Sequence, residues 1–342
     1  MPKAIREFDL IRALARQYNA GHSSILRGIG DDAAVISPPS NRWELLTTDL
    51  LTEGIHFDLK TAAFPDIGYR AAAANLSDIA AMGGAPEYLL VSLAIPPKGT
   101  DRQVHQLYHG MMAACRPHNV HLIGGDTSAS TGAWFINITL IGSIATRRAL
   151  FRGGAKPGDD LYVTGTLGDS LAGLQLLRHH RRKTFKLSLS AAHRRFLERR
   201  HLRPTARIRE GRWLAQLGWV TSSIDISDGL SGDLRHICGE SGAGAEVRVS
   251  SLPISSACRS YAESTGQDAG TLALAGGEDY ELLFTVPARF RIRFERLAAG
   301  RSARITRIGA MTPVRERICI VTADSRRRPL PNLSYEHFGR IH

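Results

Sequence analysis

The sequence predicts a two-domain protein of the α/β (α+β) class. Its 342 residues exceed one domain, because at about 150 residues per domain the expectation is about two. Hydrophobic residues make up 43% and charged residues 22% of the chain, which is typical of a globular protein with a sizeable core. Apolar strand-like runs alternate with helical patterns, and this alternation indicates sheets covered by helices.

The strands are predicted from short apolar or alternating runs. They are Trp43–Thr48, Tyr88–Ile95, Trp134–Ala145, Asp160–Gly165, Thr221–Asp225, Ala245–Val249, Tyr280–Val286, Arg304–Ile308 and Ile318–Thr322. The helices follow from apolar residues at helical spacing between Gly, Pro or polar caps. They are Asp66–Met82, Asp101–His118, Leu167–His179, Thr205–Leu217 and Asp228–Glu240.

A turn-rich link at residues 152–159 follows the long hydrophobic strand. It reads Arg-Gly-Gly-Ala-Lys-Pro-Gly-Asp, a composition that favours turns over regular structure. We therefore divide the chain into an N-terminal domain, residues 1–150, and a C-terminal domain, residues 151–342.

The cysteines and the apolar runs bear on the cellular compartment. The four cysteines lie far apart with no Cys-x-x-Cys motif, so neither a disulfide framework nor a zinc site is predicted. No apolar stretch approaches the ~18 residues of a membrane span. The N-terminal residues mix charged with apolar side chains, unlike a signal peptide. We expect a cytoplasmic protein without a membrane partner.

The net charge of +12 is concentrated in residues 178–209. This segment contains twelve Lys and Arg residues against one acid, Glu198, which gives +11. We interpret it as a solvated basic face on one or two surface helices. An RNA-binding or acidic-partner patch, or attraction of anionic substrates, stays open as an alternative. No aromatic platform is interleaved as a single-strand binder would need.

Several motifs that contain acids are the strongest chemical signal. Each is flanked by Gly, Ser or Thr and is predicted at a strand end or a tight turn. They are Gly28–Ala34, Thr47–Asp49, Asn75–Asp78, Ile123–Thr127, Ile224–Leu230 and Gly276–Glu281. Strand exits are where open α/β sheets bind ligands. Carboxylates that converge there would repel one another, and Mg²⁺ relieves that repulsion while also binding phosphate oxygens.

Each motif alone also has an ordinary structural explanation. Gly-Asp-Asp suits a surface turn, Asn75–Asp78 a polar helix face, and Gly124-Gly125 a tight turn. Asp225 and Asp228 could cap the following helix. The common phosphate-binding loops, Gly-x-x-x-x-Gly-Lys-Ser/Thr and Gly-x-Gly-x-x-Gly after a strand, do not occur. The number of acidic motifs in one chain nevertheless favours a multi-magnesium phosphate site.

The order of these motifs resembles the thiamine-monophosphate kinase family of the aminoimidazole-ribonucleotide (AIR) synthase-like superfamily. The resemblance runs from Gly28 to Glu281 and includes Gly154–Asp159, with Tyr335–Phe338 extending it towards the C-terminus. Only the basic segment after Arg178 carries no distinctive motif. Because the motifs are numerous and correctly ordered, the match is specific.

The resemblance implies two α/β domains in an AIR synthase-like fold, with an N-terminal sheet domain that forms a dimer interface. It implies that a homodimer uses several Mg²⁺ ions to transfer the γ-phosphoryl group of ATP to thiamine monophosphate, which gives thiamine diphosphate and ADP. The implied metal ligands are Asp32 (favoured over Asp31), Thr47, Thr48, Asp49, Asp78, Asp126, Asp225 and Asp228. The implied ATP-binding residues are Tyr108, Gly125, Asp126, Arg152 and Ser227. The implied substrate-binding residues are His56, Glu278 and Tyr335.

The implied chemistry is direct in-line transfer. The acceptor phosphate is already ionised at neutral pH, so the reaction needs no strong general base, and we assign no residue as a covalent nucleophile. Arg152 is expected to clamp phosphate through charge-assisted bonds. Tyr335 could stack on the cationic thiazolium, and Glu278 could offset its charge.

Other members of the superfamily are the alternatives. Selenophosphate synthetase would carry a reactive cysteine or selenocysteine in an early Gly-rich stretch, whereas the first cysteine here is Cys115. The hydrogenase-maturation relative ends in a functional cysteine, which residues 339–342 do not contain. His56 and Gly276–Tyr280 argue against AIR synthase itself. Leu330–Tyr335 keeps the family's tyrosine but little else. A basic nucleic-acid-binding protein is the less favoured reading from a different class.

Overall fold

The structure, a computed structural model, describes residues 13, 16–18, 25–27, 35–36, 41–182, 187–313, 318–322 and 325–335. The chain divides into two units. The first comprises Met1–Ile79 with Gly84–Arg147, and the second comprises Ala80–Gly83 with Arg148–His342. Within the described ranges, no helix is long and apolar enough to cross a membrane.

The first unit is built on a four-stranded sheet in the order β3-β6-β4-β5. β6 pairs antiparallel with both β3 and β4, whereas β4 and β5 are parallel, so β3 and β5 are the edge strands. β1 and β2 form a separate antiparallel pair. The elements up to residue 145 are β1 (Ile25–Arg27), β2 (Val35–Ile36), β3 (Arg42–Thr52), α1 (Phe64–Ala81), β4 (Ala85–Ile95), α2 (Asp101–Cys115), β5 (His121–Ala129) and β6 (Phe135–Ala145).

The core of this unit contains buried residues of both helices and of the central strands. Leu76 of α1, Leu107 of α2 and Leu89 of β4 are each at most 1% exposed. Burying one such side chain contributes about 1.5–3 kcal/mol to folding. At its N-terminus, α2 begins with a capping box in which the Thr100 side chain accepts from the Gln103 backbone and Gln103 reciprocates.

The second unit contains a seven-stranded sheet in the order β13-β12-β9-β11-β7-β10-β8. All neighbouring strands are antiparallel except β12 and β9, which are parallel. The elements are β7 (Asp159–Thr164), α3 (Asp169–Arg182), α4 (Ala191–Leu202), α5 (Ile208–Leu217), β8 (Ser222–Asp225), α6 (Leu230–Ser241), β9 (Gly244–Arg248), α7 (Ser256–Thr265), α8 (Ala269–Ala275), β10 (Leu282–Pro287), α9 (Arg291–Ala298), β11 (Ile305–Thr312), β12 (Ile318–Val321) and β13 (Arg327–Pro329).

Both faces of this sheet are covered near its centre. Every residue of β7 is buried, and successive side chains of a strand point to opposite faces. Leu161 belongs to an aliphatic cluster that includes Leu234 of α6. Tyr162 stacks on Phe284 at 5.7 Å between ring centroids and meets Phe294 of α9 edge-on at 4.8 Å. The site-bearing loops of this unit therefore leave a sheet that is buried on both sides.

The predicted fold class is confirmed, and every predicted strand and helix overlaps an observed one. The sequence patterns missed β1, β2, β5, β13, α7, α8 and α9, whereas α4 lies in the basic segment for which one or two surface helices are predicted. Gly124-Gly125 favours a tight turn over a strand, because glycine is unfavourable inside strands unless another backbone approaches closely. The placement of the acids at strand exits or tight turns is wrong for Asp49 and Asp126, which lie inside strands, and for Asp78, which lies inside α1.

Candidate functional site

Two aspartates and a threonine of the first unit form one polar group. Thr47 of β3 donates a hydrogen bond from Oγ1 to Oδ2 of Asp78 on α1. Asp49 points to the same face of β3 as Thr47, since side chains two residues apart share a face. The charges of Asp49 and Asp78 interact. The fold thus brings together three of the predicted metal ligands.

The pKa of Asp49 is raised to about 7, first by burial and second by the negative charge of Asp78. Two neighbouring carboxylates cannot both stay ionised at neutral pH without a compensating positive charge. Carboxylate and hydroxyl oxygens are the ligands that Mg²⁺ prefers. The chemistry of this group therefore fits a bound magnesium ion.

Two other predicted metal ligands of this unit lie apart from that group. Thr48 points to the opposite face of β3, where its Oγ1 donates to Oδ1 of Asn137 at 3.2 Å. Asp126 lies on β5, at the other edge of the sheet. Three strand spacings separate β5 from β3, which is about 14 Å. Asp126 and Asp49 thus lie on opposite edge strands of the sheet.

Gly125 lies on β5 where two backbones approach closely. Its φ is +158°, and a Cβ added there would be 1.9 Å from the carbonyl oxygen of Val91 on β4. This side of β5 has no room for a side chain. Glycine at this position therefore lets β5 pair closely with β4 beside Asp126.

We expect Gly125→Ala to destabilise the first unit by about 3 kcal/mol or more, because the new Cβ forces the two backbones apart. Thermal unfolding of the purified protein measures the loss. The matched control is Gly132→Ala, since a Cβ at Gly132 meets no atom within 4 Å. If both variants unfold at the parent's temperature, the close approach of β5 to β4 is wrong.

His56, a predicted substrate residue, is held by hydrogen bonds, whereas Tyr108, a predicted nucleotide residue, is buried and stacked on another ring. Nδ1 of His56 accepts the backbone N–H of Thr52 at 3.0 Å, which places the proton of the neutral ring on Nε2. The backbone carbonyl of His56 accepts from Arg70. Tyr108 is 3% exposed and stacks on Tyr18 with 6.0 Å between ring centroids. The substrate role of His56 and the nucleotide role of Tyr108 stay predictions.

The second unit gathers five of its six predicted site residues around one loop. Asp225 is the last residue of β8, and Ser227 and Asp228 follow it. The backbone N–H of Glu278 donates to the carbonyl of Ser227 at 2.7 Å, and that of Tyr335 donates to the carbonyl of Asp228 at 3.2 Å. Predicted metal, nucleotide and substrate residues are thus joined directly through the backbone. The sixth, Arg152, is exposed in the turn before β7.

Asp225 and Asp228 do not cap α6. The N-cap residue of that helix is Gly229, and no side chain caps it, so the capping explanation of these two acids is wrong. A third acid, Asp233 on α6, was missed by the sequence patterns. Its pKa is raised well above the usual range by burial and by the charges of Asp225 and Asp228. The sequence does carry a signal for Asp233, because it lies five residues after Asp228 on a helix face that is otherwise apolar.

Asp233 is 2% exposed. Its Oδ2 has no hydrogen-bond partner in the described part of the chain. Among the same residues, no group of three or more His, Cys, Asp or Glu side chains is placed to hold a metal ion. Asp31 and Asp32 lie outside the described residues.

Two arginines of the basic segment are largely shielded from solvent as ion-pair partners of a buried acid, which corrects its interpretation as a wholly solvated face. Arg207 donates from Nε and Nη2 to the two carboxylate oxygens of Glu281, both at 2.5 Å. Arg200 donates to Oε1 of Glu281 at 2.9 Å. Glu281 is fully buried, and although burial raises its pKa, the two arginines hold that pKa below its ordinary value.

Arg200 lies close to three acids, Asp169, Asp279 and Glu281, and the last two belong to the Gly276–Glu281 motif. Nε of Arg200 lies 3.6 Å from Asp169, and Nη2 lies 3.9 Å from Asp279. Asp279 also accepts the backbone N–H groups of Gly168 and Ser170 at the start of α3. Burial nevertheless raises the pKa of Asp279 to about 7. The segment's +11 charge thus includes internal counter-ions to an acidic loop about 75 residues further along the chain.

Comparison with known proteins gives consistent matches along the chain. Residues 30–144 match the AIR synthase related protein N-terminal domain, and residues 156–321 match the C-terminal domain of the same family. The thiamine-monophosphate kinase of Bacillus subtilis is 36% identical over 332 residues, which cover 97% of this chain and 99% of that protein.

Solved structures agree with these matches. The crystal structure of thiamine-monophosphate kinase from Stenotrophomonas maltophilia superimposes with a TM-score of 0.79 at 36% identity, covering 94% of this chain and 96% of that one. AaThiL complexed with AMPPCP and TMP gives a TM-score of 0.75 at 33% identity, covering 98% and 99%. The chain therefore belongs to the thiamine-monophosphate kinase family of AIR synthase related proteins.

Proposed function

We propose that this protein phosphorylates thiamine monophosphate with ATP to give thiamine diphosphate and ADP, the last step of thiamine diphosphate biosynthesis. The observation that carries the proposal is the likeness, along nearly the whole chain, to a relative whose structure holds AMPPCP and TMP. AMPPCP is an ATP analogue, so that relative contains both reactant classes. Membership of the family supports the same reaction here.

We propose that several Mg²⁺ ions take part, with Thr47, Asp49 and Asp78 holding one of them. Asp32, Thr48, Asp126, Asp225 and Asp228 are the further ligands that the family resemblance implies. When bound, Mg²⁺ supplies positive charge that offsets the charge of the phosphates and brings two anionic reactants together. The raised pKa of Asp49 supports a cation at this group.

The chain's own residues bind and align the reactants. In our proposal Gly125, Asp126, Arg152, Ser227 and Tyr108 contact ATP, while His56, Glu278 and Tyr335 contact thiamine monophosphate. An oxygen of the acceptor phosphate attacks the γ-phosphorus, and the bond from that phosphorus to the bridging oxygen of ADP breaks. The acceptor is already ionised, so no side chain must remove a proton or form a covalent intermediate.

The direct test is to detect thiamine diphosphate after incubation of the purified protein with thiamine monophosphate, ATP and Mg²⁺. We expect product with thiamine monophosphate and none with thiamine or AMP as the acceptor. Label from γ-labelled ATP should not stay on the protein when the acceptor is omitted. Formation of AMP-derived or thiamine-derived product alone would refute the assignment, and label retained on the protein would exclude direct transfer.

Mg²⁺ binding should depend on pH through Asp49. Because its pKa is raised to about 7, Asp49 carries a proton below pH 7 that the cation must displace. The apparent affinity for Mg²⁺ should therefore rise about fivefold from pH 6 to pH 7, by at most about twofold more above pH 7, and then level off. Calorimetric titration between pH 6 and pH 8 measures this slope. Asp49→Asn should flatten it, and an unchanged slope in that variant would assign the proton to another group.

We propose that the protein is a homodimer that pairs through β3. Leu46 is 67% exposed and Leu50 is 54% exposed. With Thr48 they lie on one face of a strand at the edge of the sheet. An exposed apolar edge strand is a surface that a partner normally covers.

Leu46→Glu should convert the dimer into a monomer, since it places a charge in the apolar contact. Size-exclusion chromatography with light scattering gives the mass of each species. Ile292→Glu is the control, because Ile292 is 76% exposed on α9 of the second unit and should leave the mass unchanged. If the protein is still a dimer after Leu46→Glu, the interface does not lie at β3.

We also propose a cytoplasmic location. The four cysteines, Cys115, Cys238, Cys258 and Cys319, are free thiols, and the first three are buried. Free thiols are typical of reducing compartments.

A further inference from the structure

The loop that carries Glu278 holds an unusual backbone conformation. Glu278 has a φ of +60° and Tyr280 a φ of +51°, both in the left-handed region that residues other than glycine rarely adopt. Such conformations persist only where the surroundings fix them, and they concentrate at functional sites. The contacts that fix this loop therefore set the position from which the Glu278 side chain extends.

Backbone and side-chain contacts hold the loop on both sides. The N–H groups of Glu278 and Tyr280 donate to the carbonyls of Ser227 and Ile226, at 2.7 and 2.9 Å. On the other side, the carboxylate of Asp279 accepts two backbone N–H groups at the start of α3. These contacts fix the backbone but not the carboxylate of Glu278, which extends beyond them.

His201 of α4 contacts that carboxylate from the protein interior. It is 4% exposed. Its Nδ1 lies 3.6 Å from Oε2 of Glu278 and 3.1 Å from Oγ of Ser170. The side chain of Glu278 is 30% exposed, so one part of it meets His201 while another part is open to a ligand.

We propose that His201 is a positioning residue for substrate binding, which acts by holding Glu278 towards a cationic heterocyclic substrate while Ser170 orients the imidazole. The inference rests on the proposed function, because it assumes that Glu278 binds thiamine monophosphate. It gives a role to a residue of the basic segment that the family resemblance did not cover. Ser170, His201 and Glu278 come from three separate elements, and only the fold joins them.

Steady-state kinetics of the full-length enzyme test the proposal. His201→Leu keeps most of the side-chain volume but removes both ring nitrogens. We expect it to raise the KM for thiamine monophosphate about tenfold, the size of one lost contact to a charged group, with kcat and the KM for ATP within about twofold of the parent. His201→Asn, whose amide can replace Nδ1, should recover most of the loss, and Ser170→Ala should show a smaller rise.

A double-variant cycle separates this role from a structural one. In a Glu278→Gln background, His201→Leu should raise the KM by less than about twofold, because the group it positions is already lost. His193→Ala, on the same helix, is the control for α4 and should match the parent. Additive effects, or equal changes in kcat and in both KM values together with a lower unfolding temperature, would overturn the inference.

The same measurements distinguish the inference from the proposed function. A parent enzyme that forms no thiamine diphosphate refutes the function itself. A parent that is active while Glu278→Gln keeps the normal KM retains the function and overturns the role given to Glu278 and His201. If His201→Leu does not fold, the KM values of His201→Asn and Ser170→Ala in the two Glu278 backgrounds decide the matter in the same way.

Discussion

Asp49→Asn should lower kcat/KM by about 10³-fold or more, which corresponds to roughly 4 kcal/mol of lost transition-state stabilisation. Asparagine keeps the shape of the side chain but removes the negative charge that, in our proposal, holds Mg²⁺ beside Asp78. The loss should appear at saturating Mg²⁺ and ATP, because the missing group is part of the site. Thiamine diphosphate formation over a range of Mg²⁺ concentrations measures it.

Stability distinguishes this effect from damage to the fold. The pKa of Asp49 is raised to about 7, so the metal-free protein loses stability as the pH rises from the unfolded-state pKa of about 4 to about 7 and Asp49 ionises. Asp49→Asn should therefore be as stable as the parent or more stable in the absence of Mg²⁺, as expected when an active-site carboxylate is neutralised. The metal assignment is wrong if turnover stays within a few-fold of the parent.

Asp58→Asn is the matched control. Asp58 is an exposed acid of the same unit, and its Oδ1 accepts the backbone N–H of Lys60 at 2.8 Å. An asparagine oxygen can accept the same bond, so activity should stay within about twofold of the parent. A comparable loss in both variants would point to the unit's overall charge rather than to a metal site.

Arg207→Met should destabilise the second unit by about 3–5 kcal/mol, because it leaves a fully buried carboxylate short of its main partner. Glu281 receives two hydrogen bonds from Arg207 and one from Arg200. Methionine fills the space but supplies neither donor nor charge. Urea unfolding followed by circular dichroism gives the change in the free energy of unfolding.

Two further variants test whether the stability lost in Arg207→Met comes from the uncompensated charge of Glu281. Arg209→Met alters an exposed arginine two residues away and should change the free energy of unfolding by less than about 0.5 kcal/mol. Adding Glu281→Gln to Arg207→Met should restore part of the lost stability, because the uncompensated charge is gone. If Arg207→Met is as stable as the parent, the pair cannot be a buried one.

The pH dependence has a defined sign. In the folded parent the pKa of Glu281 is lowered, with its two arginines opposing the effect of burial. The pair's stabilisation is therefore complete above the unfolded-state pKa of about 4.3 and is lost as the pH falls through the lower, folded-state pKa. Removing Arg207 should move acid unfolding to a higher pH.

The sequence by itself determined the fold class, because hydrophobic periodicity is a local property. It also determined the family, because ordered motifs of rare composition identify relatives without coordinates. It did not reveal β5, since two adjacent glycines resemble a turn until a neighbouring strand supplies the close backbone contact that requires Gly125. The resemblance supplied the candidate site residues, but no local sequence pattern indicates how their side chains are arranged in space.

Only the tertiary structure decided which charges act together. A run of arginines looks solvated in the sequence, yet Arg200 and Arg207 lie against Glu281, more than 70 residues away. In the same way, Asp49 joins Asp78 while Asp126 lies across the sheet. Electrostatic pairing depends on distance in space and on burial, and both are set by how strands and helices pack rather than by the order of residues along the chain.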